Sequence, residues 1–106
     1  MKVALSLLAA SFVLSSVAAF AAGTTKVDGW ISDSRCGAKP MKDPVACVWS
    51  CIKHGAKPVF VDAQKQVWSI DDPAVVKNFY GDHVAVVATT NKATKTVHID
   101  SIAEIK

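Results

Sequence analysis

Near its C-terminal end the chain alternates. Thr96, His98 and Asp100 fall on one side and Val97 and Ile99 on the other, the period-two signature of a strand with one buried face. Residues 94–102 therefore read as a strand. The valine-rich residues 83–90 read as the strand before it, with Asn91-Lys92-Ala93 turning between them. Two shorter apolar runs, Val59-Phe60-Val61 and Val67-Trp68-Ser69-Ile70, flank a polar hairpin loop at residues 62–66. Residues 27–32 form the first strand, with Gly29 marking a bulge or bend.

Between the strands, the same punctuation announces a helix twice. Asp43-Pro44 opens the first, because Asp caps a helix N-terminus and proline suits a position whose N–H has no partner. Gly55 closes it, with Lys53 and His54 near the negative end of its dipole. Its apolar face is expected from Val45, Val48, Trp49 and Ile52. Asp72-Pro73 opens the second and Gly81 closes it, with Val75, Val76 and Phe79 as its apolar stripe.

The resulting order is strand, helix, strand, strand, helix, strand, strand. A mainly β fold with two short helices follows: a small five-stranded OB-like barrel, with the first helix inserted between strands 1 and 2. A less regular α+β meander also satisfies this order. Trp30, Trp49, Trp68, Phe60 and Phe79 are expected to fill the core.

Upstream of the first strand the pattern changes. Lys2 is followed by an uncharged stretch rich in Leu, Val and Ala, ending in Ala19-Phe20-Ala21. A short positive start, an apolar block and small residues two apart make a secretory signal peptide at residues 1–21, cleaved before Ala22. A membrane anchor of similar length is the competing reading, but no Lys/Arg cluster follows the block. Residues 22–106 then form a single domain that is exported to the periplasm or outside the cell.

An 85-residue domain buries only about 60–65% of its unfolded surface and gains much from a staple. Without Lys2 it holds eleven Lys and Arg against nine Asp and Glu. These charges are interspersed, so neither a nucleic-acid partner nor a membrane surface is expected after cleavage, and the domain is expected to be a monomer with an unidentified ligand or protein partner.

Gly29-Trp30-Ile31-Ser32-Asp33-Ser34-Arg35-Cys36-Gly37-Ala38-Lys39, then Cys47-x3-Cys51, then Gly55-Ala56-Lys57-Pro58-Val59-Phe60-Val61, together with Gly81-Asp82-His83-Val84, resemble a family of small exported bacterial proteins of unknown function. The resemblance spans nearly all of residues 22–106. It implies an exported OB-like domain and no particular activity. Pro40 departs from the pattern, since such proteins often carry His there.

Chemistry concentrates in Cys36, Cys47 and Cys51. At 100° per residue, Cys47, Cys51 and His54 share about 60° of the first helix, and the preceding loop can bring Cys36 back onto it. In an exported protein a disulfide is the default. Cys36 bonded to Cys47 or Cys51 closes a loop of about 12–16 residues and stabilises by roughly 3 kcal/mol. A Cys47–Cys51 bond is disfavoured by helical i,i+4 geometry. The alternative is a Zn or Cu(I) site of Cys36, Cys47, Cys51 and His54, with His54 as the nitrogen ligand because Pro40 offers none. A redox pair of Cys47 and Cys51 lacks the usual Cys-x2-Cys and its surrounding fold.

His83 and His98 read as edge or exposed residues, Asp33-Ser34 as a turn cap, and Asp71-Asp72 as helix-capping acids. No nucleophile elbow, phosphate loop or haem motif occurs, so an enzyme is not expected. Mass spectrometry of the exported protein should give a chain starting at Ala22. A product retaining residues 1–21 contradicts the signal-peptide assignment.

Overall fold

The computed structural model describes residues 24–106, so the expected signal peptide lies outside the described residues. Five strands form a closed barrel: β1 (Thr24–Asp33), β2 (Pro58–Asp62), β3 (Val67–Ile70), β4 (His83–Asn91) and β5 (Thr96–Glu104). Around the barrel they run β1-β2-β3-β5-β4, with β4 returning to β1. All neighbours are antiparallel except β3 and β5, which pair in parallel at Ser69 with Thr96 and Ile70 with Val97. The helix α1 (Pro44–Lys53) lies between β1 and β2, as the sequence order predicts.

Closure depends on β1. It is the longest strand, and around Gly29 and Trp30 it pairs with both β2 and β4. Gly29 sits in unbroken strand, so the expected bulge is absent there. Its missing side chain instead admits the Phe60 ring and the Val61 carbonyl, which a Cβ would strike. The irregularity of the ladder lies at Val87/Ala88, where β4 meets β5. Inward-facing Ile31, Phe60, Trp68, Ile70, Val84, Val86, Ala88, Val97 and Ile99 make the core. Val97 and Ile99 are buried while His98 and Asp100 are exposed, the alternation read from the sequence.

α1 is held at both ends. Asp43 Oδ1 accepts from the Ala46 amide at 3.3 Å, and Gly55 leaves the helix at φ +104°. Only Val48 of its expected apolar face is fully buried; Val45 and Trp49 are 44% and 47% exposed. Trp30 is also exposed, at 43%. The expected core therefore loses two of its three tryptophans. Strand alternation explains Trp30, since Ile31 points inward and its neighbour must point out. Trp49 instead lies edge-on to Tyr80, ring centroids 4.6 Å apart, while Trp30 stacks on His83 at 4.4 Å.

The second predicted helix is a 3-10 helix, Pro73–Phe79. Val76 is completely buried and Val75 and Phe79 pack against the core beside it, while Pro73 at the start is exposed. Asp72 precedes it without a side-chain cap, a departure from the expected role. Among the described residues, no helix is long and apolar enough to cross a membrane.

Gly81 couples these parts. Its N–H donates to the Ile31 carbonyl at 2.7 Å, and its φ of +83° is one that L side chains adopt at a cost. An added Cβ would lie 2.5 Å from Val45 Cα and 2.6 Å from the Pro44 carbonyl carbon. Gly81→Ala should therefore destabilise the domain by at least about 2 kcal/mol in urea denaturation. An unchanged midpoint would contradict this contact.

Candidate functional site

β1 ends in a buried acid. Asp33 is completely buried, and its Oδ1 accepts from the amides of Arg35 and Cys36, both at 2.9 Å. The Asp33 carbonyl accepts from Gly37 at 2.8 Å, and Ser32 Oγ donates to the Gly37 carbonyl at 2.8 Å. Ser34 ties the same turn to β2 through two bonds with Lys57. This is the turn cap read from Asp33-Ser34, and it fixes where Cys36 sits.

The loop brings Cys36 back to α1. A carboxylate oxygen of Asp33 and the sulfurs of Cys36 and Cys51 all lie within 4.8 Å of one another. Asp33 Oδ2 is buried with no hydrogen-bond partner. Such an unpaired buried acceptor costs about 1–3 kcal/mol, more when charged. The Cys51 thiol is pushed up from its ordinary pKa by desolvation first, then by the charges of Asp33 and Cys36, with Arg35 opposing. The site thus gathers three groups whose anionic forms repel.

The other expected ligands lie apart. Cys47 is exposed on α1, outside this group. His54 is exposed, and its Nδ1 lies 2.8 Å from the Ser50 carbonyl of its own helix. The structure therefore unites two of the three cysteines, leaves out Cys47 and His54, and adds Asp33. No two of the three cysteines stand at disulfide distance in this structure, so neither the Cys36–Cys47 nor the Cys36–Cys51 bond expected from the sequence is formed in it. The signal for Asp33 was in the sequence: an acid three residues before Cys36, at the end of an apolar strand. It was hidden because the same residue serves the turn.

No protein family, curated protein or solved structure matches the chain.

The residues that follow Cys36, Gly37 to Met41, line a cleft of about 240 Å³. Its walls include Trp30, Pro40, Met41 and Val61, with Lys39 and Lys65 among the lining residues. The loop after Cys36 forms one wall, so the turn pinned by Asp33 shapes the cleft directly. Asp62 also lines it, but its oxygens are committed: Oδ1 accepts from Gln64 and Gln66, both at 2.9 Å, and Oδ2 from Trp68 Nε1 at 3.0 Å. A second cavity of about 220 Å³ opens among Phe60, Trp68, Val86 and Val97.

His98, expected to be exposed, is exposed and lies 2.9 Å from Asp71 Oδ2. Its pKa is raised by the hydrogen bond and charge of Asp71. This pair is far from the cysteines in sequence and lies on the outer face of β5.

Burial alone would raise the Asp62 pKa, but the hydrogen bonds from Trp68, Gln66 and Gln64 hold it below the usual carboxylate range. A depressed pKa gives stability that is complete above the unfolded value and lost as pH falls through the folded one. Asp62→Ala should cost about 2 kcal/mol at pH 7 by urea denaturation. The gap from wild type should narrow as the medium is acidified, and a pH-independent gap contradicts this role.

Proposed function

We propose that the protein is an exported, non-catalytic binding module whose cleft beside Trp30 takes a small ligand with an apolar body and one negative charge. The observation that carries this reading is the balance of charge in the cleft. Lys39 and Lys65 line the cleft against a single carboxylate, Asp62, whose oxygens accept from three N–H donors, which leaves the charged lining with one positive charge in excess. The exposed Trp30 face and the Pro40 and Met41 side chains supply apolar contact. A volume of about 240 Å³ is below the 300–1,000 Å³ of common drug-sized sites, which favours a small ligand.

Export sets the state of the thiols in this reading. In an oxidising compartment Cys36 and Cys51 pair, since they are the two sulfurs held together, and the bond closes the loop that walls the cleft. It stabilises the domain by about 3 kcal/mol. Cys47 stays free on the helix surface.

Two measurements check these statements. Thiol titration and peptide mapping of the exported protein should find one free thiol at Cys47 and a Cys36–Cys51 bond; three free thiols contradict the staple. For the cleft, an NMR screen should compare small aromatic carboxylates with their amide and amine analogues. Carboxylates should shift the Gly37 and Lys39 amides and the Trp30 indole, and Lys39→Ala or Lys65→Ala should weaken binding roughly fivefold. Shifts elsewhere, or no preference for the anion, contradict it.

A further inference from the structure

Asp33 presents an unused acceptor to two thiols. One of its oxygens is consumed by the turn, and the other, Oδ2, is buried and unpartnered. The turn accounts for Oδ1 alone, and hydrogen bonding within the fold leaves the second oxygen without a role. A cation bound between the acid and the two sulfurs supplies the missing partner and removes the repulsion among the three groups.

We propose that Asp33, Cys36 and Cys51 form a zinc site in the reduced protein, with Asp33 Oδ2 and the two sulfurs as ligands and the fourth position open to water or an exogenous ligand. The donor chemistry selects the ion. Two thiolates and a carboxylate suit borderline Zn²⁺, whereas Cu(I) is favoured by soft sulfur donors without a hard oxygen. The geometry is close to what is required. Zn–S of about 2.3 Å and Zn–O of about 2.0–2.2 Å place tetrahedral ligand atoms roughly 3.3–3.8 Å apart. A carboxylate oxygen of Asp33 and the two sulfurs lie within 4.8 Å of one another, about 1 Å beyond that spacing, a gap that rotation of the three side chains would have to close.

Zinc with two thiolates and a carboxylate carries a residual charge of about −1. Arg35, between Asp33 and Cys36 in the chain, acts on Cys51 with the opposite sign. Two residues come from the turn that ends β1 and one from α1, so the ion would fasten the helix to the barrel. A Cys36–Cys51 disulfide uses the same sulfurs, so the oxidised and zinc-loaded forms exclude each other. The zinc site goes beyond the cleft and its anionic ligand, and either one stands if the other fails.

The test is zinc binding by the exported protein, reduced and stripped of metal, read by competition with a chromophoric chelator. One Zn²⁺ per chain is expected. Cys36→Ser and Cys51→Ser should each weaken binding about 100-fold or more, at or above the 10–100-fold typical of outer-shell partners. Asp33→Asn keeps an oxygen for the Arg35 and Cys36 amides and should weaken binding at least about tenfold. Cys47→Ser and His54→Gln should leave affinity within about twofold. Cobalt spectra give a readout independent of fold stability: a folded wild type should show thiolate charge transfer with tetrahedral d–d bands. The proposal is overturned if wild type binds no zinc, or if Cys47→Ser or His54→Gln weakens binding as much as Cys36→Ser.

Discussion

β1 is hydrogen-bonded along both edges, and the rest of the structure depends on that sharing. An open five-stranded sheet would leave two unpaired edges; pairing Gly29 and Trp30 with β2 on one side and β4 on the other closes it. Gly29 permits the closure because the Phe60 ring occupies the space a side chain would need. The closed barrel then surrounds Ile31, Phe60, Trp68 and the inward valines of β4 and β5. At its far end β1 delivers Asp33, completely buried, to the base of the loop that carries Cys36.

The candidate site follows from what leaves that strand. Asp33 fixes the turn with one oxygen and leaves the second without a partner beside Cys36 and Cys51. The loop continues through Gly37 to Met41 and becomes a wall of the cleft. Gly81 then presses against the first turn of α1 while bonding to Ile31, so the helix, the cleft and the strand share one backbone junction. Cys36 and the first lining residue of the cleft loop, Gly37, are neighbours in the chain.

Much of this was legible in the residues. The alternation around Val97 and Ile99, the Asp43-Pro44 opening of α1 and its Gly55 exit all specify local geometry, and the element order leads to the barrel. The misplaced residues share a cause. Trp30 and Trp49 are hydrophobic enough for a core, but strand alternation and a helix buried only at Val48 turn them outward. Helical spacing at Val75, Val76 and Phe79 does not distinguish 3.6 from 3.0 residues per turn, and these three are the residues of the 3-10 helix that pack on the core. For the site, helix geometry groups Cys47 and His54 with Cys51 on an arc of α1 alone. The partner that decides the group comes from β1, and only the barrel closure brings it there.

Asp33, Cys36 and Cys51 are the proposed ligand set. X-ray absorption at the zinc edge of the reduced, zinc-loaded protein reads that set directly. Two sulfurs at about 2.3 Å with the remaining ligands oxygen at about 2.0–2.2 Å is the predicted result. A third sulfur or an imidazole in the shell would place Cys47 or His54 on the metal and contradict the account.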